Sequence, residues 1–288
     1  MRFRRIGDVT VSAIGLGGMP LSVQGRPDRD RAIATVHAAL DAGITLIDTA
    51  DAYTLDADGQ GHNELLIAEA LAAYPGDSSA VLIATKGGLI HRDVSPWDRD
   101  GSPEHLKRAA EESRERLGVD SIGLYQFHRP DPAVEYRESI EALAALLDDG
   151  VIRMAGISNA SVEQITLANE VLDGRLASVQ NRFSPVYRDS MPELEYCAHH
   201  EIAFLPWSPL GGIGKGAEVF ASQPAFTEVS DELGISPQRL ALAWELALEH
   251  VVIPIPGSTR PESIRDSAAA AELVLTAEQL AGFNGEGA

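Results

Sequence analysis

The chain has 288 residues, more than one small domain needs and close to the size of a single (β/α)8 barrel, which typically runs to about 250 residues. Its 43 acidic and 23 basic residues leave a formal net charge of −20, a field that repels nucleic acid and anionic membrane surfaces and argues against both as partners. Hydrophobic residues at 44% and only 16 prolines exclude a disordered or fibrous chain, and the lone cysteine, Cys197, excludes an intrachain disulfide and reads as a buried thiol.

The N-terminal stretch carries basic residues but no apolar run long enough for a signal peptide or a membrane span, so a cytoplasmic location is the default expectation. Residues 2–17 hold two short β-like stretches around the turn Gly7-Asp8 and read as a hairpin that plugs one end of a barrel. From there on, short apolar runs alternate with longer segments of helical period, the pattern of repeated βα units and a parallel sheet. Strands are expected at residues 12–17, 45–49, 81–85, 123–127, 153–157, 176–179, 203–207 and 251–255. Helices are expected between and after them at 28–42, 63–73, 102–117, 132–149, 161–172, 191–199, 237–249 and 261–271. Ser102 stands as a cap before a first-turn proline, Ser161 has Glu163 and Gln164 in its first turn, and Gly118, Gly150 and Gly174 stop helices. No linker or composition shift divides the chain. The expected fold is α/β, a (β/α)8 TIM barrel with an N-terminal β-hairpin plug, as one domain over residues 1–288.

In such a barrel the strand C-termini converge on one face, so polar residues just after apolar strand runs become neighbours. Strand two ends in Asp48 with Tyr53 in the loop beyond it, strand three ends at Lys86, and strand four at His128. A carboxylate, a phenol, an ammonium and an imidazole would face one pocket. This set suits carbonyl reduction, because hydride addition makes an alkoxide that must receive a proton. A tyrosine has an ordinary pKa of about 10, and a nearby ammonium lowers it by stabilising the phenolate. Lys86 would supply that charge, Asp48 would hold Lys86 in place, and His128 would orient the carbonyl.

Through Asp48-Thr49-Ala50-Asp51-Ala52-Tyr53, Ala84-Thr85-Lys86-Gly87-Gly88 and Phe127-His128-Arg129-Pro130, the chain resembles the aldo-keto reductase superfamily, in order and along essentially its whole length. The resemblance implies a catalytic tetrad of Asp48, Tyr53, Lys86 and His128, with Tyr53 as general acid–base. It also implies that Ser158, Asn159 and Gln180 hold a nicotinamide carboxamide and that Trp207 stacks on the nicotinamide ring. The glycine-rich run 208–216, with Ser208, Leu210, Gly211 and Lys215, can wrap a pyrophosphate through backbone N–H groups. Gly257, Ser258 and Arg260 open the last long helix and could grip an adenosine 2′-phosphate. These groups would supply the local donors that an anionic cofactor needs in so acidic a chain.

The chain departs from the familiar pattern in two places. Many members carry an arginine and a Glu-Asn pair in the helix after Arg260, where this chain has Ser263, Asp266 and Ser267. Arg260 would then carry most of the 2′-phosphate contact, with Arg265 in reserve and Asp266 as a cofactor-side position. The implied cofactor is NADP, with NAD as the alternative. The loop 54–62 is also longer and more acidic than the short glycine turn of relatives. Met19, Trp97 and Phe183 are candidates for the substrate-pocket wall, and residues 91–101 for a flap over it.

The reading is therefore an NADPH-dependent reductase of a small aldehyde or ketone. Two alternatives stand beside it: a cofactor-binding redox sensor with little turnover, and an aldolase using Lys86 as a Schiff-base nucleophile. The eight histidines show no metal-ligand spacing, so no metal is expected, and the sequence marks no subunit interface.

Overall fold

A computed structural model describes residues 1–92, 95–212 and 224–284. The chain opens with an antiparallel hairpin of β1 (Phe3–Ile6) and β2 (Val9–Ser12), turned at Gly7, whose φ of +55° lies in the left-handed region. Ile6 and Val11 pack against inward-facing strand residues such as Leu46, Leu82, Leu124, Leu205 and Ile253, so the hairpin is the expected plug.

The barrel follows in βα order: β3 (Leu16–Gly17), α1 (Arg29–Asp41), β4 (Leu46–Asp48), α2 (His62–Ala72) and β5 (Leu82–Gly87). An extra antiparallel hairpin, β6 (Leu89–Arg92) with β7 (Ser95–Arg99), precedes α3 (Pro103–Leu117). Next come β8 (Leu124–Phe127), α4 (Tyr136–Asp148), β9 (Ala155–Ser158), α5 (Val162–Val171), β10 (Leu176–Gln180), α6 (Met191–His199) and β11 (Ala203–Phe204). Helices α7 (Pro224–Leu233), α8 (Pro237–Leu248), α9 (Pro261–Ala269) and α10 (Ala277–Asn284) complete the order.

Seven strands run parallel in the order β3-β4-β5-β8-β9-β10-β11. Residues 251–257 close the ring as the eighth strand. On one side Ile253 donates to the Phe204 carbonyl at 2.9 Å; on the other, Gly15 and Gly17 donate to Pro254 and Pro256 at 2.9 and 3.0 Å. Pro254 and Pro256 have no N–H to return, so this seam is a one-way ladder rather than a regular strand pair. Gly17 also needs to be glycine here, since a Cβ on it would lie 2.7 Å from the Ile255 carbonyl oxygen.

Local chemistry sets the helix ends. Asp28 caps α1 by accepting from Arg31 N at 2.9 Å, and Ser161 with Gln164 forms a reciprocal capping box at α5. Helix α4 begins at Tyr136 and not at 132, because the Asp131 side chain holds Ala133 N at 2.9 Å and fixes a turn there. Three elements are additional to the sequence expectation: the β6–β7 hairpin, α7 and α10. Phe226 of α7 stacks on Phe283 of α10 at 4.2 Å and meets Trp244 of α8 edge-on, which joins these helices to the outer core. Cys197 lies buried, and burial pushes its thiol well above the ordinary range.

Candidate active site

The strand C-termini open into a cleft of about 1130 Å³. Asp48 ends β4, Lys86 lies near the end of β5, His128 follows β8, and Tyr53 sits five residues beyond Asp48 in the β4–α2 loop. Asp48, Tyr53 and His128 line the cleft, and Lys86 lies beneath them, 0% exposed. The Lys86 ammonium donates to Asp48 Oδ2 at 2.7 Å, the Thr49 carbonyl at 2.8 Å and Tyr53 Oη at 3.0 Å. All three of its protons are engaged, so it is aimed by three fixed acceptors. The Tyr53 and His128 rings meet edge to face with centroids 5.6 Å apart.

The electrostatics refine the expectation for tyrosine. Burial pushes the Tyr53 phenol above its ordinary value; the Lys86 charge opposes that shift and Asp48 adds to it. The net direction is upward, contrary to the lowering expected from the ammonium alone, so the phenol keeps its proton at neutral pH. Burial would lower Lys86, but the charges and hydrogen bonds of Asp48 and Tyr53 outweigh it and hold the ammonium above the usual lysine value. Burial, with Lys86 and Arg129 nearby, drives His128 well below the usual histidine range. Its imidazole is neutral. Nδ1 is buried without a partner, which leaves Nε2 as the nitrogen that can meet a substrate.

A supporting layer lies behind these residues. Gln180 donates to Asp48 Oδ1 at 2.8 Å, and Gln126 does so at 3.3 Å. Gln180 thus lines the cleft as expected but spends its amide on Asp48. Gln126 was not anticipated, although a single polar residue inside the apolar run Leu124-Tyr125-Gln126-Phe127 is the signal that marks it. Asn63 at the start of α2 is a second unanticipated brace: it accepts from Thr49 Oγ1 at 2.6 Å and donates to the Gly18 carbonyl at 2.9 Å.

Ser158 and Asn159 stand at the end of β9. Ser158 donates to the Gln180 carbonyl at 2.7 Å and Asn159 Nδ2 to the His128 carbonyl at 3.0 Å. Asn159 and Ser208 hold φ values of +58° and +53°, rare for residues with a side chain, and both line the cleft. Trp207 lines it too, with its Nε1 buried and unpartnered. Leu210, Gly257, Ser258 and Arg260 are also on the wall; Gly211 makes the turn with φ +86°, and Gly212 faces the cleft in its place. Lys215 lies outside the described residues.

These residues suit the dinucleotide phosphate expected from the sequence. The first turn of α9 has no side-chain cap at Arg260, so its N–H groups are left for an acceptor, and Arg260 itself is exposed at the rim. Asp266 lines the cleft but is committed to Arg239 and Ser236, with Arg239 Nε donating at 3.0 Å; it positions a neighbouring arginine and is not a free cofactor ligand.

Met19 and Trp97, expected at the pocket wall, line the cleft together with Leu89, and Trp97 is 44% exposed. The expected flap falls on the β6–β7 hairpin, pinned to the β4–α2 loop where His91 Nε2 meets the Ala52 carbonyl at 2.9 Å. Phe183 is a correction. It is fully buried, stacked on Trp244 at 6.0 Å and edge-on to Phe204, so it belongs to the core and not to the pocket wall. The loop 54–62 folds as a short helical turn, Ala57–Gly59, with Asp56 Oδ1 accepting from Gly59 N at 3.0 Å.

Comparison with known proteins agrees with this arrangement. The model of the aldo/keto reductase family matches residues 13–285. An uncharacterised oxidoreductase of Schizosaccharomyces pombe is 35% identical over 98% of this chain and 89% of its own. The 6-dehydroglucose reductase of Novosphingobium aromaticivorans is 35% identical over 93% and 90%. Among solved structures, an aldo-keto reductase from Klebsiella pneumoniae in complex with NADPH superposes with a TM-score of 0.81 at 27% identity, covering 99% of this chain and 94% of that one. No helix among the described residues is long and apolar enough to cross a membrane. From the buried tetrad geometry to the family match along nearly its whole length, this chain belongs to the aldo/keto reductase family.

Proposed function

We propose that the protein is a single-domain NADPH-dependent reductase that converts an aldehyde or ketone to an alcohol, with Tyr53 as the proton donor. The observation that carries this reading is the triple engagement of Lys86, which ties Asp48 and Tyr53 Oη into one buried array at the floor of the cleft. When bound, NADPH supplies the hydride. Ser158, Asn159 and Trp207 would hold the nicotinamide, while Ser208, Leu210, Gly257, Ser258 and Arg260 would hold the phosphates. His128 orients the carbonyl oxygen through Nε2. Tyr53 Oη donates its proton to that oxygen, Lys86 stabilises the phenolate left behind, and Asp48 keeps Lys86 charged. Gln126 and Gln180 fix Asp48 in turn.

The same geometry weighs against an aldolase. A Schiff-base nucleophile needs a free amine, and Lys86 is held protonated by a carboxylate with every proton occupied. Loss of nicotinamide absorbance with NADPH and a panel of small aldehydes tests the reading. Tyr53→Phe should lower kcat by about 10²–10⁴-fold while NADPH still binds; full activity in that variant would remove Tyr53 from the proposed role.

A further inference from the structure

Arg129 follows His128 directly and lines the same cleft. Basic residues are outnumbered in this chain, and several near the barrel's helices are paired: Arg116 sits on Glu64 at 2.6 Å, Arg175 on Asp148 at 2.9 Å and Arg239 on Asp266. Arg129 has no ion pair among the described residues, and its Nε is buried with no hydrogen-bond partner. The charge that acts on it from close by is another cation. Arg99 of β7 donates from Nη1 to the Pro130 carbonyl at 3.1 Å, which fixes a second guanidinium against the residue that follows Arg129. Burial and Arg99 together push Arg129 below the ordinary arginine value.

Two like charges held together, one of them with a desolvated and unpaired donor, are unfavourable unless an anion joins them. Their position says which anion. The proposed cofactor groups follow β9, β10, β11 and the eighth strand, whereas Arg129 follows β8 and Arg99 belongs to the hairpin after β5, on the side of the cleft walled by Leu89 and Trp97. Consecutive Cα atoms lie about 3.8 Å apart, so a group held by Arg129 is within one small molecule's length of a carbonyl held by His128.

We infer that Arg129, backed by Arg99, is an anion subsite, and that the substrate is a carbonyl compound carrying a carboxylate or phosphate, its apolar body lying against Leu89 and Trp97. This rests on the reductase reading above and names the substrate class for that site. A planar guanidinium suits both anions, since each presents paired oxygens to its fork of N–H donors.

The test compares matched carbonyls with NADPH: 4-carboxybenzaldehyde against 4-methylbenzaldehyde, and glyceraldehyde 3-phosphate against glyceraldehyde. Wild-type enzyme should favour at least one anionic member by about ten- to a hundredfold in kcat/KM, mostly through KM. Which pair shows the preference identifies carboxylate or phosphate. In Arg129→Gln the ratio should fall towards one, in Arg129→Lys it should recover in part, and in wild type it should shrink as salt rises from about 0.05 to 0.5 M. A wild-type ratio near one for both pairs overturns the inference. So does an Arg129→Gln enzyme that loses both members of a pair equally along with NADPH affinity, because the residue would then serve the cofactor. Binding of 4-carboxybenzyl alcohol against 4-methylbenzyl alcohol to the NADP+ complex, followed by tryptophan fluorescence, asks the same question without turnover. An Arg129-dependent preference in a protein that reduces none of these carbonyls would sink the reductase reading and leave the subsite standing. Equal reduction of all four carbonyls would do the reverse.

Discussion

His128 shows how a single side chain can link the proposed chemistry to stability. Its folded pKa lies well below the usual histidine value because burial and two nearby cations disfavour the imidazolium. The unfolded chain therefore binds a proton here that the folded chain refuses, from about pH 6.5 downward, and stability falls as pH drops through that window. Measured against wild type, His128→Gln should lose less of its melting temperature between about pH 7 and pH 5, together with a lower kcat; an identical pH dependence of melting would mean that His128 is not held neutral. The clustering of Tyr53 with Asp48, Lys86 and His128 was legible from the sequence because these three each end an apolar strand run, and the strand order of a barrel brings such ends together. What the sequence did not reveal was the balance of forces on the phenol, since burial and the Lys86 charge act in opposite directions. Nor could it place Phe183: an aromatic just past a strand end is equally at home facing a pocket or a core, and only the stacking partner Trp244 decides.

Among the elements, the eight βα units were readable because their two periods differ, and the caps at Ser102 and Ser161 gave helix starts to within a residue or two. The β6–β7 hairpin was not, because Ser95-Pro96-Trp97 shows no strand alternation and its pairing is with the adjacent β6 rather than with the barrel. The eighth strand was readable as an apolar run, but its prolines hid how it pairs. That pairing allows a specific expectation for Gly17, which lies against the backbone of the eighth strand. Gly17→Ala would drive a methyl group into the Ile255 carbonyl, an obstacle that cannot rotate away, and should cost about 1–3 kcal/mol in urea unfolding. NADPH affinity should fall with it, since Gly17 and Gly257 both line the cleft. Unchanged stability would show that the seam can part without loss.

Across the whole molecule, the excess of acid extends into the interior. Glu245 of α8 is fully buried with neither carboxylate oxygen hydrogen-bonded, and burial pushes its pKa well above the usual range. Asp51 is raised as well, by burial first and then by Glu64. For such groups the folded chain holds a proton that the unfolded chain releases above about pH 4.3, so their contribution to stability declines as pH rises from there towards the folded pKa. Glu245→Met should therefore raise the melting temperature, with a gain that grows from about pH 5 to pH 8 and reaches about 1–3 kcal/mol; a gain independent of pH would mean that the carboxyl does not titrate in this range. The seam between the first and last strands has a further consequence, for the order of assembly. It joins residues separated by most of the chain, so a long loop has to close, and it does so through donors on one side only. Closure is thus expensive in chain entropy and sparsely rewarded in hydrogen bonds, which places it late in folding. Because the same glycines form part of the cleft wall, the site for the dinucleotide is finished only when the ring is, and a partly folded chain has no complete place to hold it.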